Sequence, residues 1–225
     1  MNDLLQNPVY NALLTGDRSL SFGNDNVKFF DEEVSPFAGF DEQYEKGFSD
    51  LHELLPPGRK ILYANPVPVT PPAGWQLAHY IKGSQFVYEG GPVDGDFTGI
   101  QPLSDIHIEQ MVQLAWLTKP GPFGYKTIDF GSYYGFFEQD KLVAMTGQRL
   151  HVDNCSEISA VCTHPDHLGK GYAHRLLLHQ LDIILRDGQK PFLHVREDNE
   201  RAIGIYLELG FVVSRPMNFY FLKRD

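Results

Sequence analysis

Ten residues in the C-terminal half combine glycine, histidine and lysine directly before a segment with helical periodicity. The stretch reads HPDHLGKGYA from His164 to Ala173, with Gly169 and Gly171 on either side of Lys170. Glycines let a backbone approach a ligand closely, and the helix that follows offers unpaired N–H groups and a positive dipole end. This combination suits a diphosphate. The sequence therefore predicts a phosphate-binding turn.

The turn alone does not identify the nucleotide that it would bind. A Gly-x-Gly before a helix about as often only permits tight packing of a strand against a helix. A P-loop is disfavoured because the Gly-Lys-Ser/Thr ending is missing. A Rossmann turn is disfavoured because the strands before it have an antiparallel pattern.

The same stretch resembles the acetyl-CoA signature of the GNAT superfamily, which is Gln or Arg, two residues, Gly, one residue, then Gly or Ala. Here the frame runs from Leu168 to Ala173, with Leu168 in place of Gln or Arg. The replacement removes a polar side chain and leaves the backbone donors. A later block matches the family pattern in order and spacing, at Asn199, Ala202, Tyr206, Gly210 and Phe211.

The resemblance covers roughly residue 98 to the end of the sequence. It implies a GNAT-like acyl-CoA N-acyltransferase fold of the α/β (α+β) class, with a mixed, mostly antiparallel sheet flanked by helices. It implies transfer of the acetyl group of acetyl-CoA to a primary amine by direct attack in a ternary complex. Two alternatives stay open, a non-catalytic CoA-binding regulatory module and a transferase that uses a longer acyl-CoA. Leu168 favours the module, whereas Glu157 and Tyr206 favour the enzyme.

The resemblance also assigns the coenzyme contacts. Backbone groups of Val161, Cys162 and Thr163 are expected to hold the pantetheine arm as an added strand would. The diphosphate is expected at six consecutive residues, Leu168, Gly169, Lys170, Gly171, Tyr172 and Ala173. Asn199 is a candidate coenzyme contact, and the alternative is that its side chain only caps a helix.

Amine acetylation needs a neutral nucleophile and a group that protonates the departing thiolate. Tyr206 lies where the family carries its usual general acid, and the resemblance implies that role. It also implies that Tyr206 contacts the cofactor. The alternative is an amphipathic helix residue that only packs its ring.

Glu157 lies eleven positions before Leu168, the spacing at which histone-acetylating relatives carry a general-base glutamate. The equal alternative is a solvated carboxylate at a strand end. Regular alternation would place Glu157 on the same strand face as Val161. His194, close to where this fold parts its strands, and His164 are interpreted as structural histidines.

Hydrophobic patterning predicts the elements that must position these residues. Strands are predicted at 61–64, 75–88, 99–102, 133–137, 142–151, 157–163, 191–195, 211–213 and 218–222. Helices are predicted at 41–55, 105–117, 171–186 and 200–209. The strands from 133 to 163 should form three adjacent antiparallel strands. Gly90-Gly91-Pro92 predicts a linker that divides a smaller N-terminal lobe at 1–95 from a GNAT domain at 96–225. By resemblance to relatives with an additional lobe, the N-terminal lobe is expected to be an incomplete GNAT-like unit of unknown role.

The composition limits the classes of ligand that the protein is expected to bind. The 225 residues carry 19 Lys and Arg against 29 Asp and Glu, a net charge of −10 that argues against nonspecific nucleic-acid binding and favours a cationic amine over an anionic one. The expected acceptor is a small-molecule or peptide amine. The nine histidines show no zinc-ligand spacing, so no metal is expected.

The sequence shows no secretory signal and no run of about 20 apolar residues, so a cytoplasmic protein without membrane contact is expected. Cys155 and Cys162 are expected to be reduced and to face opposite sides of one strand, because they lie seven residues apart. Exposed strand ends and the N-terminal lobe leave a homodimer open.

Overall fold

Backbone hydrogen bonds join the strands into two sheets in the computed structural model, which describes residues 3–225. In chain order the strands are β1 Ser21–Gly23, β2 Val27–Phe30, β3 Ala38–Phe40, β4 Lys60–Asn65, β5 Trp75–Tyr88, β6 Gln101–Pro102, β7 Tyr134–Glu138, β8 Lys141–Val152, β9 Cys155–Thr163, β10 Lys190–Arg196 and β11 Phe211–Arg224. The helices are α1 Pro8–Leu14, α2 Gly47–Leu54, α3 Ile108–Thr118, α4 Tyr172–Arg186 and α5 Glu200–Glu208.

The eight strands from β4 to β11 form one large sheet in the order β4-β11-β5-β10-β9-β8-β7-β6, and β1 to β3 form a small one. β7, β8 and β9 are adjacent and antiparallel, as predicted, and β9 pairs with β10 in parallel. Helices pack on both faces of the large sheet. The predicted fold class, a mixed and mostly antiparallel sheet flanked by helices, is confirmed.

The helix predicted over residues 171–186 is present as α4. Its apolar residues are buried on one side, as the period of 3.6 residues requires, at Leu176, Leu177, Leu181 and Ile184. The helix predicted over 200–209 is α5, and Gly210, two residues after its last residue, takes φ 98°. Among the described helices none is long and apolar enough to cross a lipid bilayer.

Two predicted elements need correction. The strands predicted at 211–213 and 218–222 are one strand, β11, because a bulge between Val213 and Arg215 absorbs the irregular stretch without ending the pairing. The helix predicted over 41–55 begins only at Gly47, since the Asp41 side chain accepts from the Gln43 N–H at 2.8 Å and forms a turn there.

Two strands from the first ninety residues lie inside the large sheet. β5 is hydrogen-bonded between β10 and β11, and it pairs with β11 along its whole length. β4 forms the outer edge beyond β11. The boundary near residue 95 therefore stays a prediction, and the sheet is continuous across it.

The two faces of the large sheet carry different layers. One face, which we call the α3 face, is covered by α1, α3 and Phe37, and it buries Ala160 of β9. The other, the α4 face, is covered by α4 and α5, and it buries Ile158 of β9 and Val195 of β10. Strands β9 and β10 thus contribute side chains to both layers.

Candidate active site

The large sheet opens between β9 and β10. The two strands pair only where Cys155 to Glu157 lies opposite Lys190 to Phe192. Beyond that point β9 continues beside β8, and β10 continues beside β5, so the two strands diverge. A cavity of about 380 Å³ lies at this opening, and its wall includes residues from both faces of the sheet.

A β-bulge interrupts β9 beside this cavity. Between the pair Met145–Cys162 and the pair Gly147–Ser159, β9 carries one more residue than β8. Ala160 takes φ 53°, a left-handed conformation that costs a non-glycine residue about 1–2 kcal/mol. Strain of this kind is typical of functional sites, and the bulge leaves backbone groups beside the cavity without a partner residue on β8.

The bulge also changes which side chains share a face. Regular alternation predicts Glu157 beside Val161 and predicts the two cysteines on opposite faces, and both predictions are wrong. The extra residue at Ala160 reverses the alternation beyond it. Val161 packs toward the α4 face, whereas Cys155 and Cys162 share the core of the α3 face as free thiols. Burial raises the pKa of Cys162 to about 11.

The predicted phosphate-binding turn has geometry suited to an anion. Gly169 and Gly171 take φ 78° and 77°, and the space that a β-carbon would fill at each is open. Among residues 3–225, no acceptor meets the backbone N–H groups of residues 169–173, and α4 begins without a side-chain cap. These donors lie at the positive end of a 15-residue helix. Leu168 and Ala173 lie in the cavity wall, so the turn and the cavity are continuous.

A carboxylate at the end of β7 fixes this turn. Glu138 accepts from Lys170 Nζ at 2.7 Å and from the Tyr172 hydroxyl, and His167 Nδ1 lies 3.3 Å from it. The hydrogen bond from Lys170 contributes most to holding the pKa of Glu138 down at about 2. The Lys170 side chain is thereby engaged, which leaves the main chain of the turn as its anion-binding part.

Tyr206 lies in the cavity wall on α5. Its ring packs against Phe86 and Phe211, with centroids 6.3 and 5.9 Å apart. Burial alone raises the pKa of Tyr206 to about 12. The phenol therefore stays protonated through neutral and moderately alkaline pH, as a general acid must. The packing of the ring also fits the alternative, an aromatic residue that only packs in the core.

Glu157 is fully buried and paired through both oxygens. Arg149 donates from Nη2 to Oε1 at 2.7 Å and from Nε to Oε2 at 2.9 Å. Burial by itself would raise the pKa of Glu157, but the charge of Arg149 and the contact with His194 outweigh it and lower the pKa to about 2. The interpretation as a solvated carboxylate is therefore wrong.

His194 extends this arrangement to the next strands. Its Nδ1 lies 2.8 Å from Glu157 Oε1, and its Nε2 lies 3.2 Å from Gln85 Nε2, which also donates to the Leu5 carbonyl at 2.8 Å. Because an amide nitrogen can only donate, His194 accepts at Nε2 and donates from Nδ1. Four adjacent strands thus share one polar row, consisting of Gln85, His194, Glu157 and Arg149.

Asn199 caps α5 and also lies in the cavity wall. Its side-chain oxygen accepts from the Ala202 N–H at 3.2 Å, which confirms the predicted cap. Its contact with a coenzyme stays a prediction. Two cations, Arg196 and Arg201, line the same part of the wall. In the part of the chain that the structure describes, no group of three or more His, Cys, Asp or Glu side chains is suited to a metal ion.

Sequence reasoning missed the residues that complete the site from distant segments. Arg149 and Gln85 complete the polar row, Glu138 fixes the turn, and the Phe37 ring lies 4.9 Å below the Arg149 guanidinium. Arg149 could have been identified as a partner of Glu157 from the predicted strands, since the strand over 142–151 is expected to lie beside the strand over 157–163. No local pattern marks Phe37, because about half of the chain separates it from Arg149.

Known proteins share this architecture and, in part, this sequence. The FR47-like protein family model matches residues 133–220. A crystal structure from Novosphingobium aromaticivorans DSM 12444, of a protein assigned as an acetyltransferase from the GNAT family, is 31% identical and covers 100% of both chains with a TM-score of 0.93. No curated protein matches the sequence.

More distant structures agree in fold. A GCN5-related N-acetyltransferase from Kribbella flavida covers 98% of this chain and 96% of its own at 14% identity, with a TM-score of 0.61. A GCN5-related N-acetyltransferase-like protein from Streptococcus suis 89/1591 covers 98% and 94% at 12% identity, with a TM-score of 0.63. The full-length match at 31% identity goes further than fold, and by it the chain belongs to the GNAT family of acetyltransferases.

Proposed function

We propose that the chain transfers the acetyl group of acetyl-CoA to a primary amine by direct attack in a ternary complex. The observation that carries the proposal is the cavity between β9 and β10. It runs from the free N–H groups at the start of α4, past Tyr206, to the α3 face. An anionic coenzyme suits the first part, and an amine can approach a thioester from the second.

Main-chain groups provide most of the coenzyme site in this proposal. Residues 168–173 bind the diphosphate through their backbone N–H groups, and Leu168 contributes its backbone rather than its side chain. Residues 161–163 hold the pantetheine arm along the edge of β9 that faces β10, which is free because β10 pairs with β9 only as far as Glu157. Asn199 contacts the coenzyme from the start of α5. Acetyl-CoA supplies the activated thioester.

Tyr206 acts as the general acid. The amine nitrogen forms a bond to the acetyl carbon while the bond from that carbon to sulfur breaks. Tyr206 gives its phenolic proton to the departing sulfur, and the proton lost by the attacking nitrogen restores the phenol through water. A pKa of about 12 supports this role, because the proton is present at the start of each turnover.

For Glu157 the geometry supports a positioning role more than direct proton transfer. A general base needs a free lone pair near the amine and a pKa close to the working pH. Glu157 has both oxygens engaged and a pKa of about 2. It fixes the tautomer of His194 and the direction of the Arg149 guanidinium, both of which line the cavity.

Release of free thiol from acetyl-CoA in the presence of a panel of primary amines tests the proposal. We expect amine-dependent release, with the N-acetylated product found in equal amount by mass spectrometry. Binding of CoA without release on any amine would favour a regulatory module. Faster release from butyryl-CoA than from acetyl-CoA would favour a longer acyl donor.

A further inference from the structure

We infer that the acceptor amine carries an apolar body and no second positive charge. The inference rests on the proposed function, since it takes the thioester to lie at the opening between β9 and β10. It concerns the part of the cavity on the α3 face, which we call the acceptor end. This end is lined by Phe37, Leu62, Ile81, Phe219, Phe221 and Arg149.

The wall of the acceptor end is mainly apolar and comes from separate segments. Phe37 precedes β3, Leu62 and Ile81 come from β4 and β5, and the two remaining phenylalanines come from β11. Phe37 and Leu62 are almost fully buried. When an apolar group binds against such a wall, apolar surface of the group and of the wall is removed from water. The stabilisation grows in proportion to that area. It therefore favours a hydrocarbon or aromatic body next to the reacting nitrogen.

The charges of the cavity have one sign. Among the described residues that line it, none is an aspartate or glutamate, whereas the wall includes four cations, Lys119, Arg149, Arg196 and Arg201. Arg196 is paired with Asp198, which lies outside the cavity wall, at 2.7 Å. Glu157 does not line the cavity, and its two oxygens are already paired. The net charge of −10 thus lies elsewhere on the molecule. The sequence-wide charge favours a cationic acceptor, and the local charge favours the opposite.

An adjoining cavity gives a larger apolar body room. This second cavity, of about 480 Å³, shares Phe221 and Pro122 with the first and is also lined by Val34 and Phe123. Its one carboxylate among the described residues, Glu32, lies 3.7 Å from the Arg59 guanidinium and does not line the first cavity. A short diamine would therefore have its second ammonium in the acceptor end, without a counter-ion.

A matched pair of amines tests the inference. Butylamine and putrescine have the same four-carbon chain and differ in the second ammonium. With saturating acetyl-CoA, and with rates expressed per neutral amine, we expect kcat/KM for butylamine to exceed that for putrescine by roughly tenfold or more, because a desolvated cation beside like charges is costly. Equal values, or a preference for putrescine, would overturn the inference while leaving the proposed transfer reaction intact.

A variant that places an acid in the acceptor end sharpens the test. Phe221 is half-buried and lines both cavities, so Phe221→Glu is expected to reduce the preference for butylamine over putrescine. Val213→Glu is the matched control, because Val213 is exposed on the same strand and lines neither cavity. An unchanged preference in a folded Phe221→Glu protein would count against the inference.

Binding separates this inference from the proposed function. If neither amine were acetylated, the panel of amines would still test the transfer reaction, and calorimetric titration of the CoA complex with butylamine and putrescine would decide the inference. Tighter binding of butylamine would support an apolar acceptor end. Tighter binding of putrescine would refute it.

Discussion

The two ends of the cavity are built from different parts of the polypeptide. The coenzyme end presents main-chain N–H groups of residues 169–173, which belong to one continuous segment. The acceptor end presents side chains from β4, β5, β8 and β11 and from Phe37. A main-chain site depends on local conformation, whereas a side-chain wall depends on how distant strands are registered. The two ends should therefore respond to different substitutions.

The largest loss of stability is expected when the ion pair between Glu157 and Arg149, beneath the acceptor end, is broken. Glu157→Gln leaves the Arg149 guanidinium, whose side chain is only 14% exposed, without a counter-ion, so we expect the free energy of unfolding to fall by about 3 kcal/mol. Urea denaturation measures this free energy of unfolding. Glu138→Gln is the control, because it removes a carboxylate from a more exposed group of contacts and should cost little. Equal losses in the two variants would show that the polar row does not hold the acceptor side together.

The stabilisation of the fold by the pair of Glu157 and Arg149 depends on pH, and it should be lost in acid. The pKa of Glu157 is about 2 in the folded chain and 4.5 ordinarily, so its stabilising contribution is complete above pH 4.5 and is lost as the pH falls toward about 2. The difference in unfolding free energy between wild type and Glu157→Gln should shrink across this window. A difference that stays constant down to pH 2 would contradict the assignment.

Where the two ends meet, Tyr206→Phe should affect chemistry alone. The ring keeps its packing against Phe86 and Phe211, and only the hydroxyl is removed. We expect kcat to fall about a hundredfold, the size typical of a lost general acid, with little change in the affinity for acetyl-CoA. Steady-state thiol release and titration with CoA measure the two quantities. An unchanged kcat would remove Tyr206 from the mechanism.

At the coenzyme end, a change of backbone conformation should matter most. Gly171→Glu forces a side chain into φ 77° and adds negative charge at the start of α4, so we expect acetyl-CoA affinity to fall roughly ten- to a hundredfold. Gly188→Glu is the matched control, since Gly188 has φ 71° and open space around it at the other end of α4. If both variants bind acetyl-CoA like wild type, the diphosphate site lies elsewhere.

The smallest effect is expected from a side chain at the same turn. Leu168 is 48% exposed and contributes no polar atom beyond its backbone. Leu168→Ala should therefore change the dissociation constant for acetyl-CoA by no more than about twofold, as exposed substitutions usually do. Calorimetric titration gives the value. A much larger loss would mean that side chains, and not only the main chain, build the coenzyme end.

The predictable parts of the molecule are those that local sequence determines. The glycines of the turn, the apolar spacing of α4 and the Asn199 cap are each contained within a few residues, and the structure has all three. The hairpin of β7 and β8 was predictable for the same reason. Its turn residues and alternating pattern lie side by side in the chain.

The rest depended on contacts that no short segment specifies. No pattern within β9 marks the bulge at Ala160, and without it the face of every later residue in β9 is assigned wrongly. The burial of Glu157 required Arg149, His194 and Gln85 to meet from three other strands. A carboxylate that looks solvated in the sequence becomes buried only when all these partners are in register.

The position of β5 between β10 and β11 has a consequence for the newly made chain. β5 leaves the ribosome early, but both of its neighbours follow only after α3, β7 to β9 and α4 have been synthesised. Until then its 14 residues have both edges free, which exposes them to pairing with other chains. Closure of the sheet is consequently a late, long-range step, and folding of such topology is slow. Chaperones that bind unpaired strands would bind β5 in that interval.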